Sequence, residues 1–221
     1  MNQTAPAAWQ LDAHQRATIE AAMARVIPTD QTPGAREAGT IDFLERYLSG
    51  IDYIYAKPDG SGFERLEGRQ AGAWMQRVQA ARAKYVTGVR ELDHLAAETG
   101  GSTFVDLDEA RQDDVLRALE QAARGEDDTG GTAEIAYSLP AEPALQQTNA
   151  EDELNFFPLL VTHTRQGYLS DPVYGGNRDH VGWKAIGFPG PASLLEVHTG
   201  RYSTLEYFAD NRNHPGTEDQ Q

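Results

Sequence analysis

Apolar residues recur at helical spacing along most of the chain up to Gly167, and the breaks between these runs carry turn chemistry. From Asp12 to Ile27, the side chains of Ile19, Ala22, Met23, Val26 and Ile27 share one face. Asp12 is placed to cap this helix with Gln15 completing a capping box. Pro28 stops it, and residues 29–34 read as a turn. A second helix is predicted from about Ala35 to Leu48, burying Ile41, Leu44, Tyr47 and Leu48. A long third helix is predicted from about Arg69 to Ala97, aligning Trp74, Val78, Ala81, Tyr85, Val89, Leu92 and Leu95. Gly88 in its middle costs about 1 kcal/mol relative to Ala, so a kink or break there would be no surprise. Asp106 or Asp108 caps a fourth helix that runs to about Arg124 and buries Val115, Leu116 and Leu119. The last helix begins near Ala150 or Glu151, carries Leu154, Phe156, Phe157, Leu160 and Val161, and ends at Gly167. Pro158 belongs in its first turn or at a kink.

Three stretches fall outside this period. Between Gly50 and Gly68, Tyr53, Tyr55 and Phe63 flank a turn over residues 57–62, which reads as a hairpin or a loose excursion. Residues 125–149 form an acidic, Gly- and Pro-containing insertion. Beyond it, residues 167–177 and 182–190 together hold six glycines, two prolines and four aromatics. Glycine frees the backbone and proline restricts it, so this composition predicts a specific irregular path, and the large rings want burial. The fold class expected is mainly α: one irregular helical domain over residues 1–221, with long loops and an extended Gly- and aromatic-rich C-terminal segment.

Charge and composition narrow the partners. The formal net charge of −15 argues against nucleic acid or an anionic membrane. With no cysteine, there is no disulfide framework, thiolate metal site or cysteine nucleophile. Residues 1–9 show no basic segment, apolar run or twin arginine, so a cytoplasmic location is expected, with export on a signal-bearing partner as the alternative.

The motifs for catalysis fail in turn. No pair of the six histidines has metal-ligand spacing. Gly182-x-x-x-x-Gly187 is followed by Phe188-Pro189 in place of Lys-Ser or Lys-Thr, so a phosphate cradle would lack its cation. Asp171, Asn177 and Asp179 offer oxygen ligands without EF-hand spacing. No Gly-x-Ser-x-Gly elbow is present. Loop aromatics such as Tyr174, Trp183 and Phe188 then either anchor a protein partner or fold back into the core.

Three stretches carry a family resemblance. They are Ala24-Arg25-Val26-Ile27-Pro28-Thr29-Asp30 with Thr32-Pro33-Gly34-Ala35, Ala38-Gly39 and Ile41-Asp42-Phe43; Phe156-Phe157 with Thr164, Gly167 and Tyr168; and Asp171-Pro172-x-Tyr174-Gly175-Gly176-Asn177 with Gly182-Trp183-Lys184-x-Ile186-Gly187-Phe188-Pro189-Gly190. On these the chain resembles the small, third subunit of gluconate 2-dehydrogenase and related sugar dehydrogenases. The resemblance implies a non-catalytic subunit that binds, stabilises and helps fold a large subunit of the glucose-methanol-choline type. In that arrangement FAD resides in the partner, this chain holds no cofactor or metal, and electrons leave through a cytochrome c or another acceptor.

This chain departs from the family pattern in lacking the export signal and in carrying the acidic insertion. The residues expected to meet the partner are Tyr168, Asp171, Tyr174, Asn177, Trp183, Phe188, Tyr202, Tyr207 and Phe208, with no catalytic residue among them. The alternative is an independent small-molecule-binding module or enzyme that uses the 167–190 loop as a pocket wall.

Overall fold

A computed structural model describes residues 9–50, 55–57, 63–127, 150–191 and 194–202. The protein is mainly helical, as its apolar periodicity predicts. Its elements are α1 (Ala13–Val26), α2 (Thr40–Leu48), β1 (Tyr55–Ala56), β2 (Phe63–Glu64), α3 (Gly68–Glu98), α4 (Glu109–Asp127), α5 (Ala150–Glu153), α6 (Phe156–Leu169), α7 (Val181–Ala185) and α8 (Leu194–His198). Contacts group the chain into two units, residues 1–51 with 68–188, and residues 52–67 with 189–221.

The first unit is a bundle of α1, α2, α3, α4 and α6 around one core. Its fully buried side chains include Ile19 and Met23 from α1, Leu44 and Leu48 from α2, Tyr85 and Leu92 from α3, and Leu159 and Leu160 from α6. Each large side chain of this kind stabilises the fold by roughly 1.5–3 kcal/mol relative to exposure, which is why apolar spacing alone locates the helices. The caps behave as the sequence dictates. Asp12 accepts from Gln15 N at 2.8 Å while Gln15 Oε1 accepts from Asp12 N at 3.1 Å, closing the capping box. Asp108, rather than Asp106, caps α4 by accepting from Arg111 N at 3.0 Å. Asp106 instead closes a 3-10 turn by accepting from Thr103 N at 3.0 Å. Arg25 of α1 grips Asp113 of α4 through Nε and Nη2 at 2.7 and 3.0 Å.

Three boundaries differ from expectation, and the weak point at Gly88 does not break. Helix α2 starts at Thr40, because residues 35–39 form a turn in which Ala35 N returns to Ile27 O at 2.8 Å and Gly39 adopts φ 67°. Helix α3 runs unbroken through Gly88, where an added Cβ would lie 2.2 Å from the ring of Phe156. Gly88 is therefore a seat for Phe156 rather than a hinge. The last predicted helix is two, α5 and α6, with Pro158 in the first turn of α6, and α6 passes Gly167 to end at Leu169. Helix α4 extends to Asp127, so the start of the acidic insertion is helical; residues 128–149 lie outside the described ones. In the second unit, Tyr55 pairs with Glu64 and Ala56 with Phe63 in antiparallel register, the hairpin alternative of the sequence reading.

Candidate functional site: a pinned loop and a buried polar cluster

The loop after α6 is built on close backbone approach. A Cβ on Gly176 would sit 2.1 Å from Gly167 O, and one on Gly182 would sit 1.9 Å from Tyr168 O. Real Cβ atoms do not approach so closely, so both positions require glycine for the loop to lie against the end of α6. Asn177 ties the two together. It is fully buried, its Nδ2 donates to Ser170 O at 2.8 Å, and its Oδ1 accepts from Gly182 N at 2.9 Å. Its backbone is left-handed (φ 48°), as are those of Asp179 (54°) and His180 (58°). Such conformations cost roughly 1–2 kcal/mol per non-glycine residue, so the surrounding bonds must hold them in place.

The loop is also fastened to α2 and the turn before it. Arg178 N donates to Ala38 O at 2.9 Å, and Arg178 Nη2 reaches Asp42 Oδ2 at 2.7 Å. Arg16 Nη2 meets the other oxygen of Asp42 at 2.9 Å, and Arg46 Nη1 donates to Val173 O at 2.7 Å. Asp171 caps the 3-10 turn Pro172–Tyr174 by accepting from Val173 N at 2.9 Å. The stretch expected to be irregular thus contains two 3-10 turns and the short helix α7.

These contacts relocate the aromatics. Trp183 is buried: its Nε1 donates to Leu169 O at 2.7 Å, and its ring lies 5.3 Å from Phe188 and 4.9 Å from His180. Tyr168 is buried and donates its hydroxyl to Pro33 O at 2.6 Å. Tyr174, Phe188 and Tyr202 are half-buried. Burial raises the pKa of the Tyr174 phenol, with the nearby Asp171 charge adding to the effect. Of the aromatics expected to meet a partner, Trp183 and Tyr168 are thus seated by backbone carbonyls, and Phe188 packs on the Trp183 ring. Tyr207 and Phe208 lie outside the described residues. The large hydrophobic side chains left open are aliphatic. Of the five exposed large hydrophobics among the described residues, four fall between 169 and 197; Ile186 is 57% and Leu169 40% exposed. Sequence reasoning missed Leu169 and Ile186 as exposed residues.

Inside the bundle lies a second constellation that no spacing in the sequence announces. Tyr85 Oη is 2.9 Å from His163 Nδ1, and Tyr47 Oη donates to Glu151 Oε2 at 2.9 Å. Glu151 also accepts from Gln166 Nε2 at 2.9 Å, while Lys84 Nζ reaches the Glu151 carbonyl at 3.3 Å. Among the described residues His163 Nε2 has no partner. If Tyr85 donates to Nδ1, only the Nε2 proton is orphaned; the reverse tautomer would orphan the tyrosine proton as well. The first is the cheaper arrangement, since each buried orphan costs roughly 1–3 kcal/mol.

Burial holds the His163 imidazole down at about 4; Glu151 opposes the shift and Lys84 adds to it. Burial pushes the Tyr85 phenol well above its usual range. For Glu151, burial works upward but the Gln166 bond, His163, the Tyr47 bond and Arg77 outweigh it, leaving the carboxyl below its usual value. At neutral pH the cluster therefore holds a neutral imidazole, a protonated Tyr85 phenol and the Glu151 carboxylate.

Among the described residues, cavities border these helices. A groove of ≈ 390 Å³ between α3 and α4 is lined by Lys84, Thr87, Glu91, Leu119, Phe156 and Phe157 among others, and by no residue of 167–190. A smaller void beside Tyr47, Arg77, Lys84 and Glu151 likewise has no wall from the loop. Neither gives the loop the pocket-wall role of the alternative reading. Among the described residues no three His, Asp or Glu side chains gather to hold a metal ion, and no helix is long and apolar enough to cross a membrane.

Compared with known proteins, residues 13–190 match the family model described as gluconate 2-dehydrogenase subunit 3. No curated protein and no solved structure matches the chain.

Proposed function

The chain belongs to the gluconate 2-dehydrogenase subunit 3 family, and from that premise we propose that it is a non-catalytic accessory subunit. In this reading it binds, stabilises and helps fold an FAD-dependent large subunit of the glucose-methanol-choline type that oxidises a sugar, sugar acid or glycoside. FAD belongs to that partner, and electrons leave the complex through a cytochrome c or another acceptor. The observation that carries the reading is the extent of the family match. It runs from α1 through the whole pinned loop to Gly190 and so includes the segment that leaves Leu169 and Ile186 exposed.

Docking uses what the loop leaves outside rather than what it buries. Trp183, Asn177, Gly176 and Gly182 make the loop rigid, so little ordering entropy is lost when a partner closes on it. Leu169 and Ile186 supply apolar area, and Lys184 is exposed beside them in sequence. The test is co-expression with an FAD-dependent large subunit of the glucose-methanol-choline type from the same genome. Affinity capture of the native chain should bring down flavin. The double substitution Leu169→Asp with Ile186→Asp should lose it while leaving the helical circular dichroism unchanged. Equal flavin in both preparations would remove the loop as the docking surface.

A further inference from the structure

We propose that Tyr85 and His163 form a redox-active, proton-coupled pair, reached through Trp74 and Tyr47, that takes up single oxidising equivalents arriving at the protein surface. The side chains involved are in ring contact in sequence: Trp74 lies 5.0 Å from Tyr47, Tyr47 4.7 Å from His163, and His163 5.8 Å from Tyr85. Indole and phenol are among the most readily oxidised of the common side chains. A phenol gives up an electron readily only when its proton can leave at the same moment, and here each phenol has its own acceptor. For Tyr47 it is the Glu151 carboxylate at 2.9 Å; for Tyr85 it is His163 Nδ1 at 2.9 Å.

Packing alone asks for neither acceptor. A phenylalanine at position 85 and a leucine at position 163 would fill the same space with no polar atom to satisfy. The chain instead keeps a fully buried Tyr–His pair and leaves Nε2 without a partner among the described residues. A redox role is among the explanations such a buried polar pair admits.

The step balances as follows. A high-potential one-electron oxidant at the surface, of the peroxyl- or alkoxyl-radical class, takes one electron by way of Trp74 from Tyr47 and is reduced to its anion. The Tyr47 O–H bond breaks, its proton passes to Glu151, and a neutral tyrosyl radical remains. Tyr85 then gives one electron to Tyr47, which recovers its proton from Glu151. The Tyr85 O–H proton moves to His163 Nδ1, making an imidazolium protonated on both nitrogens. The net result is one electron lost to the oxidant and one proton shifted from Tyr85 to His163. The radical ends on a side chain with no solvent exposure. The proposal lies wholly within this chain and is independent of what docks on the loop.

The test is flash oxidation of the full-length chain by photogenerated tris(bipyridine)ruthenium(III), with freeze-quenched electron paramagnetic resonance. A neutral tyrosyl signal is expected in the native protein, formed more slowly in heavy water and more slowly again in Tyr47→Phe. Tyr85→Phe should abolish the long-lived part of that signal, and an unchanged signal in this variant would overturn the proposal. Should Tyr85→Phe fail to fold, the native protein grown with heavy-nitrogen histidine decides. Hyperfine coupling of the radical to a histidine nitrogen is expected, and its absence would overturn the assignment.

Discussion

Replacing Asn177 by alanine separates the pinned-loop account from one in which the loop lies loosely on the bundle. The substitution removes the bonds to Ser170 O and from Gly182 N, at 2.8 and 2.9 Å, in a residue with no exposure. Each lost bond leaves a buried backbone group unsatisfied, for about 1–3 kcal/mol apiece. Alanine also tolerates the φ of 48° less well than asparagine, adding about 1 kcal/mol. The sum is about 3–7 kcal/mol. At about 2–4 °C per kcal/mol for a chain of this size, Tm would fall by about 6–28 °C if the loop and bundle unfold together. If the loop opens by itself, the loss instead appears as faster amide exchange across residues 170–188. Thermal melts paired with hydrogen exchange read both cases. Asn177→Asp gives an internal check, because an aspartate can accept from Gly182 N but cannot donate to Ser170 O until it is protonated. Its deficit relative to the native chain should shrink as pH falls. Native-like Tm and native-like exchange in Asn177→Ala would refute the reasoning.

Three further outcomes follow from the same geometry. Gly88→Ala gains about 1 kcal/mol of helix propensity but drives a methyl to within 2.2 Å of the Phe156 ring, so overpacking of about 1–3 kcal/mol wins and the urea midpoint falls. Trp183→Phe keeps most of the apolar area but orphans Leu169 O, costing about 1–3 kcal/mol, visible as a lower Tm. His163 binds its proton at about 4 when folded and near 6.5 when unfolded, so its contribution is full above the unfolded value and is lost as pH falls towards about 4. The loss is about 3 kcal/mol, and Glu151, whose pKa is also lowered in the folded state, adds loss of the same sign in acid. In His163→Asn, the fall in stability between neutral pH and pH of about 4.5 should be smaller than in the native protein, as measured by urea midpoints.

What was legible in the sequence and what was not divides by range. Asp12 with Gln15, Asp108 with Arg111, and the apolar faces of α1, α3 and α4 are local patterns, each fixed by partners within a turn or two of helix. Gly88 misleads at that range. Helix propensity registers only its missing side chain, whereas the space it clears is occupied by Phe156, which lies far along the chain. The turn at residues 35–39 fails for a similar reason: Ala35 N pairs back to Ile27 O, and later Arg178 N pairs to Ala38 O, which no helical period encodes. The glycine-aromatic segment was recognisable as an ordered path, but its composition reads the same whether a ring faces inward or outward. Trp183 turned inward because Leu169 O offers its indole an acceptor. The Tyr85–His163–Tyr47–Glu151 cluster draws on α2, α3, α5 and α6 at once, and no spacing within one helix encodes it.

The central claim is that this chain is the accessory partner of an FAD-dependent dehydrogenase and docks through the outer face of its pinned loop. The most direct measurement is light scattering with flavin absorbance on the co-expressed pair during size exclusion. The account predicts one peak whose mass includes both chains and whose flavin content matches the large subunit, and a shift to flavin-free small subunit in Leu169→Asp with Ile186→Asp. A native chain that elutes alone, flavin-free, in the presence of folded FAD-bearing large subunit would contradict it.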